Sequence, residues 1–463
     1  MIVQSFGGVE GVTGSCHLVK VGKLNILIDC GMFQGLDEDK NYEGFGFDPA
    51  IVDYLILTHS HIDHAGRIPL LVKSGFRGKI ISTKPTYYIA RIMLLDAANI
   101  MAEEYKTQLK KAIRRGRPQE VKPPLYDEND VFYAMEFFKA FLDYDEPYAL
   151  SNDVKVILRN AGHILGSAYA EMVVNLDGRE KRIIFSGDVG PQEKLVIKSI
   201  DYPEDGNVVF IESTYGNRDH RLLEESIQEF KKAIVESFKD EGNVVIPTFA
   251  LERTQEILYI LRMMYDKGEL PKCKIFLDSP LAISATKIFM QFPQELSGDV
   301  LRIINQGHNP FLFPDVHFTQ SIEESRKINE IESGAIILAG SGMCNGGRIK
   351  HHLKHNLWRE NSSVIFVGYQ AVGTLGRQIV DGAKKVKIYG EEVAVKAKIY
   401  TINGFSAHAD QSGLLSFLSS NRSLQSVYLI HGEIEIMKEF KEKIKEKLNL
   451  NPHIVEKGEC IYL

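Results

Sequence analysis

"LTHSHIDHAG" (residues 57–66) sets three histidines and an aspartate within six positions, directly after an apolar run at residues 54–57. The run reads as a buried strand, so the polar cluster falls on the turn beyond its end. Zinc and similar ions take imidazole and carboxylate ligands where no thiolate is offered, and a catalytic site leaves a position for water. On extended backbone, residues i and i+2 point the same way, so His59 and His61 can share one ion. Asp63 and His64 fall on the following turn, displaced enough to serve a second.

Further ligands are then expected at other strand ends. "RNAGHILGSA" (159–168) puts His163 after a β-branched run and between glycines that let the backbone approach an ion closely. "RIIFSGDVG" (182–190) carries Asp188 at its tip, where a carboxylate can bridge two cations. "TINGFSAHAD" (401–410) supplies His408, and "VYLIHGE" (427–433) supplies His431, again at a strand end.

The rest of the chain limits what surrounds this cluster. Its 463 residues imply two or three domains, and 44% hydrophobic with 25% charged residues is an ordinary globular composition. The formal charge of -6 means that an anionic partner must be drawn by local basic patches or bound metal. Five widely spaced cysteines without a C-x-x-C pair argue against a disulfide framework and a thiolate zinc site, and suit a reducing cytosol. No secretory pattern and no membrane-length apolar run is seen, so a cytoplasmic protein with no membrane partner is expected.

Short strand-like runs recur at 24–28, 79–82, 154–158, 169–175 and 182–185, with helical spacing at 87–108 and 131–142. The link between those helices, "KKAIRRGRPQEVKPP" (110–124), is basic and broken by Gly and Pro; it reads as a solvated connector or as a nucleic-acid contact. From about Ser213 helices alternate with buried strands, the pattern of parallel βαβ units with functional loops at strand C-termini. The fold class expected is α/β, one domain interrupted by another: 1–215, an insert at 216–377, and a return at 378–463.

The ligand set resembles that of the metallo-β-lactamase superfamily, which implies an αβ/βα sandwich with its site at one edge of two sheets. The resemblance assigns His59, His61 and His163 to one ion, Asp63, His64 and His431 to another, Asp188 as the bridge, and Asp29 of "LIDCG" as a residue that orients the ligand loop from behind. Spacing alone leaves open whether His431 or His408 completes the second site. About 220 residues separate Asp188 from His408, far more than a loop needs. There "IESTYGNR", "PTFALERTQEIL", "DSPLAISAT", "GSGMCNGGRIKHHL" and "GYQAVGTLGRQI" occur in the order of the β-CASP branch, a group of RNA- and DNA-processing nucleases that includes the cleavage and polyadenylation specificity factor endonuclease. The strands begin near the first residue, so no KH-like module is expected ahead of the core.

That branch implies a zinc-dependent ribonuclease with two Zn ions per chain, Mn and Fe being compatible with the same ligands. A hydroxide between the ions, oriented by Asp63 and Asp188, attacks phosphorus and leaves 5′-phosphate and 3′-hydroxyl ends, by internal or 5′-to-3′ cleavage. Glu212 and His408 act together as the proton donor. Single-stranded RNA is the expected partner, with DNA and a homodimer left open. Candidate phosphate or RNA contacts are Thr248, Arg253, the loop residues Ser341, Gly342 and Met343, Thr374, and Arg377, which stands with Gln378 where eukaryotic relatives carry a histidine. The histidines of "KHHLKH" (350–355) read as a solvated helix face. A small-molecule metallo-hydrolase such as a lactonase or thioesterase, or a non-catalytic RNA-binding relative, remains the alternative.

Overall fold

The computed structural model describes residues 1–176 and 178–463. They form two compact units: Met1–Gln192 with Ser199–Asp219 and His408–Leu463, and Glu193–Lys198 with His220–Ala407.

The first unit is built on two seven-stranded sheets. One runs in the order Cys460–Tyr462, Ile2–Gly7, Cys16–Val21, Leu24–Ile28, Tyr54–Ile56, Lys79–Ser82, Phe138–Phe141. The other runs His453–Ile454, Ser426–Ile430, Val208–Glu212, Arg179–Phe185, Ala168–Leu176, Val154–Asn160, Pro147–Ala149. Their inner faces, Val19, Ile26, Ile28, Ile56 and Ile81 among them on one side and Val156, Leu158, Met172, Ile183 and Phe185 on the other, interdigitate in one core. Sheets buried on both faces need helical cover, which is why the strands read as nearly continuous apolar runs. Leu18, Leu27, Leu55 and Ile80 pack outward with Leu71, Ala90, Leu94 and Val131 of the helices Ile68–Lys73, Lys84–Arg114 and Glu128–Met135. Ile184, Val209, Val427 and Leu429 pack with Leu414, Phe417, Met437 and Phe440 of the helices Gln411–Ser419 and Ile434–Leu448. This is the expected αβ/βα sandwich.

Two local expectations change. The helix read at 131–142 ends at Met135, and Phe138–Phe141 is an edge strand whose residues alternate buried and exposed. Four residues of period two are too few to outweigh helical spacing upstream. The first helix runs on to Arg114, so "KKAIR" of the supposed connector is helical.

The second unit holds a six-stranded, all-parallel sheet in the order Val316–Phe318, Lys274–Leu277, Ala335–Ala339, Val244–Pro247, Ser363–Phe366, Lys398–Thr401. The hairpin Lys385–Ile388 with Glu391–Ala394 packs on the same core through Val386, Ile388 and Val393. The compact units therefore part at Asp219 and Ala407, whereas the sequence boundaries fall at 215 and 377: Lys398–Thr401 reads alone as another short strand, yet it completes the parallel sheet beside Ser363–Phe366.

Candidate active site

In the second sheet, Arg179–Phe185, Val208–Glu212 and Ser426–Ile430 are mutually parallel, and Val154–Asn160 shares their direction through two antiparallel steps. Their carboxyl ends thus meet at one edge, where Glu212 ends its strand and His163, Asp188 and His431 follow theirs. In the other sheet His59 follows Tyr54–Ile56 by a few residues. Gly187 has φ +51 and an added Cβ would come within 2.8 Å of Thr58, so only glycine lets the Asp188 turn lie on the histidine loop.

Asp188 is the hub. Its Oδ2 lies 3.3 Å from His59 Nε2 and 3.4 Å from His163 Nε2, while Oδ1 lies 3.1 Å from His64 Nε2 and 3.6 Å from His431 Nε2. His61 Nδ1 is 3.1 Å from His163 Nε2, and His431 Nε2 is 3.9 Å from Asp63 Oδ2. Ligand atoms of His59, His61, His163 and Asp188 gather within 4.8 Å of one another, as do those of Asp63, His64 and His431, and those of Asp188, Glu212 and His408.

Whether a cation fits can be judged from what these atoms lack. His59 Nε2, His64 Nε2 and Asp188 Oδ1 are buried and have no hydrogen-bond partner among the described residues. An orphaned buried polar atom costs about 1–3 kcal/mol, and three converging on one spot are accounted for by a positive ion. Burial pushes His61 down to about 3 and His163 well below the usual imidazole range, keeping both as neutral ligands. Burial also opposes charge on His64, but the Asp188 and Asp29 carboxylates outweigh it and raise its pKa. A cation would take the place of that proton.

Behind the ligands, Asp29 accepts from Thr58 N–H and Thr58 Oγ1, each at 2.8 Å, and from His64 Nδ1 at 2.7 Å. Beside them, Glu212 Oε1 accepts from Val189 N–H at 2.7 Å and lies 3.1 Å from His408 Nδ1, and His408 Nε2 is 3.9 Å from Asp188 Oδ2. His408 thus faces the carboxylate of Glu212, and it is His431 that stands with Asp63 and His64.

The phosphate candidates lie in the second unit, and the structure sorts them. Thr248, the loop of Ser341, Gly342 and Met343, and Thr374 all follow carboxyl ends of the parallel strands. Gln370 Nε2 donates to Gly342 O at 3.0 Å and to Gly368 O at 3.1 Å, joining two of these loops. Ser341 N–H and Gly346 N–H bond within the loop, to Gly346 O and Ser341 Oγ, and Thr374 Oγ1 caps its own helix. Arg253 departs from expectation: it is buried, and its guanidinium is engaged by Glu256 and by the Phe405 carbonyl. Arg377 makes a two-point contact with Asp381 at 2.8 and 2.9 Å and remains partly exposed.

His352 departs too. It is fully buried, with Nε2 2.6 Å from Asp278 Oδ2 and Nδ1 2.9 Å from Asn329 Oδ1, while Arg348 donates to Asp278 Oδ1 at 2.6 Å. A triplet of histidines in a charged helix gives no hint of which one turns inward. Sequence reading also missed His17, buried between Ser5 Oγ at 2.8 Å and Ser15 Oγ at 3.2 Å; a lone histidine on an apolar strand carries no signal.

Histidines gathered about both oxygens of one buried carboxylate, at the edge of an αβ/βα sandwich, define a metallo-hydrolase of the metallo-β-lactamase type. Residues 9–234 match the metallo-beta-lactamase superfamily, 254–379 the Beta-Casp domain, and 392–455 the Zn-dependent metallo-hydrolase RNA specificity domain. The chain is 38% identical to Ribonuclease TTHA0252 of Thermus thermophilus over 94% of both chains. It is 30% identical to Transcription termination factor FttA of Methanosarcina mazei, over 100% of this chain and 71% of that one. A crystal structure of a protein of unknown function from Enterococcus faecalis shares the fold, with TM-score 0.59, 13% identity, and coverage of 100% of this chain and 99% of that one. The protein belongs to the β-CASP branch of the metallo-β-lactamase superfamily. No helix among the described residues is long and apolar enough to cross a membrane.

Proposed function

We propose that the protein is a metal-dependent ribonuclease that hydrolyses phosphodiester bonds of single-stranded RNA and leaves 5′-phosphate and 3′-hydroxyl ends. The observation that carries this reading is the placement of Asp188, one oxygen toward His59 and His163 and the other toward His64 and His431. The likeness to a named ribonuclease along nearly the whole chain supports the polymer.

His59, His61 and His163 would hold one zinc ion and Asp63, His64 and His431 a second, with Asp188 shared; manganese and iron accept the same donors. When bound, such a pair supplies a water of lowered pKa and counter-charge for the phosphate. The chain's own groups do the rest. Asp29 holds His64 with Nδ1 protonated, so that Nε2 faces inward. Asp63 and Asp188 orient the attacking water, whose proton passes to solvent as the new P–O bond forms. As the P–O3′ bond breaks, the 3′ oxygen needs a proton, and His408 Nε2 delivers it while Glu212 stabilises the imidazolium through Nδ1. Thr248, Ser341, Gly342, Met343, Thr374 and Arg377 are the proposed backbone contacts in the second unit.

End-labelled single-stranded RNA, with DNA of the same sequence alongside, tests the reading in zinc-loaded protein with and without chelator. Chelator-sensitive RNA decay lost in Asp63→Ala is expected. Intact RNA together with turnover of a lactone or thioester would replace the reading with a small-molecule hydrolase. A ladder of internal fragments marks endonuclease action, and early mononucleotide from a 5′-monophosphate substrate marks trimming.

A further inference from the structure

The run from Tyr105 to Gln119 contains six cations, Lys106, Lys110, Lys111, Arg114, Arg115 and Arg117, and no carboxylate, in a chain whose formal charge is -6. Lys106 pairs with Glu103 at 2.7 Å and Arg117 with Glu120 at 3.6 Å. Lys110, Lys111, Arg114 and Arg115 are exposed, and none has an ion-pair partner among the described residues. The helix Ile434–Leu448 of the same unit shows the ordinary alternative, with Lys438–Glu435 at 2.8 Å, Lys443–Glu446 at 2.9 Å and Lys445–Glu442 at 2.6 Å.

On the long helix the spacing is unfavourable in itself. Lys106 and Lys110, Lys110 and Arg114, and Lys111 and Arg115 stand four residues apart, which places like charges on one face. The helix dipole rewards cations in the final turn, here Lys111 and Arg114, but does not call for six without an acid among them. A polyanion laid along this end would relieve the repulsion. The helix also has a defined relation to the cleavage centre. At its start Thr83 and Thr86 donate their hydroxyls to Gly166 O at 2.7 and 2.8 Å, in the loop that carries His163. Its 31 residues then carry the basic end about 46 Å away.

We propose that this basic end is a second RNA-binding surface, which holds the phosphate backbone of a long single strand about one helix length from the site of cleavage. The inference rests on the ribonuclease reading. Contact is to phosphates, so it adds affinity without sequence preference.

The test compares wild type, a quadruple variant Lys110→Gln, Lys111→Gln, Arg114→Gln, Arg115→Gln, and a control with Lys438, Lys443, Lys445 and Lys447 each changed to Gln, which alters net charge equally. Affinity for a long unstructured RNA is measured across a salt series in the zinc-loaded proteins, and cleavage of a short oligonucleotide in parallel. The quadruple variant is expected to bind the long RNA more weakly, with the salt slope reduced by about 2–3, since each single-strand phosphate contact contributes about 0.7. Cleavage of the short oligonucleotide stays unchanged, and the control retains the wild-type slope. A quadruple variant with the wild-type slope, or a control that loses as much, overturns the inference. If wild type leaves RNA uncut, the ribonuclease reading fails instead, and the slopes still report separately on the surface.

Discussion

His64 Nδ1 lies 2.7 Å from Asp29 Oδ2, and that hydrogen bond fixes which ring nitrogen is left to face Asp188. Asp29 stands at φ +59, and Thr58 donates to it twice, so its direction is over-determined. Asp29→Asn keeps the shape but weakens the acceptor that selects the tautomer. Metal affinity, measured by competition with a chromophoric chelator, is expected to fall about 10–100-fold; an unchanged affinity would mean that Asp29 serves only the loop's backbone.

The proposed role of His408 as proton donor sets an expected pH dependence of cleavage. Burial lowers the pKa of its imidazole, but Glu212 and Asp188 outweigh burial and hold it at about 9. A general acid works while protonated, so the rate falls as pH rises through this value, and cations at Asp188 move the limb to lower pH. His408→Gln should remove the limb and lower kcat about 10²–10⁴-fold with RNA binding retained. Glu212→Gln should shift the limb further down, because the carboxylate that raises it is gone. A profile with the same limb in both variants assigns the proton to another group.

On the proposed metal binding, removing the ions should cost stability as well as activity. The orphaned atoms of His59, His64 and Asp188 are buried in either state, and a ligand that binds only the folded chain stabilises it by about 2.7 kcal/mol at a hundred times its Kd. Calorimetry of the metal-free and zinc-loaded proteins should show the lower Tm without metal. Equal values would mean that the cluster tolerates its own desolvation.

Asp278 gives a separate test in the second unit. Burial alone would raise its pKa, but hydrogen bonds from His352, Ser325 and Arg348 hold the carboxyl below its usual range. A depressed carboxyl pKa contributes stability that is present above the unfolded value, about 4, and is lost as pH falls through the folded one. Asp278→Asn should cost about 3 kcal/mol near neutral pH, with the gap to wild type narrowing below about pH 4. Urea unfolding at several pH values measures it, and a pH-independent gap would exclude the charge as its cause.

The histidine–carboxylate cluster was legible because metal-ligating chemistry calls for particular residue types at strand ends, and those types are scarce in apolar runs. His59, His61, Asp63, His64, His163, Asp188 and His431 come together at the edge where their strands end. Less was legible where tertiary packing decides. Arg253 sits on the first turn of a helix, where sequence allows either a ligand contact or a partner inside the fold, and burial against Glu256 is the outcome. Phe138–Phe141 is a strand because Lys79–Ser82 offers it an edge, which no local pattern encodes.

The strand Ile2–Gly7 pairs with Cys460–Tyr462, and His431 stands far along the chain from His59. Loss of Cys460–Tyr462 would therefore leave Ile2–Gly7 as a bare outer edge of its sheet, a template on which a second copy could add a strand.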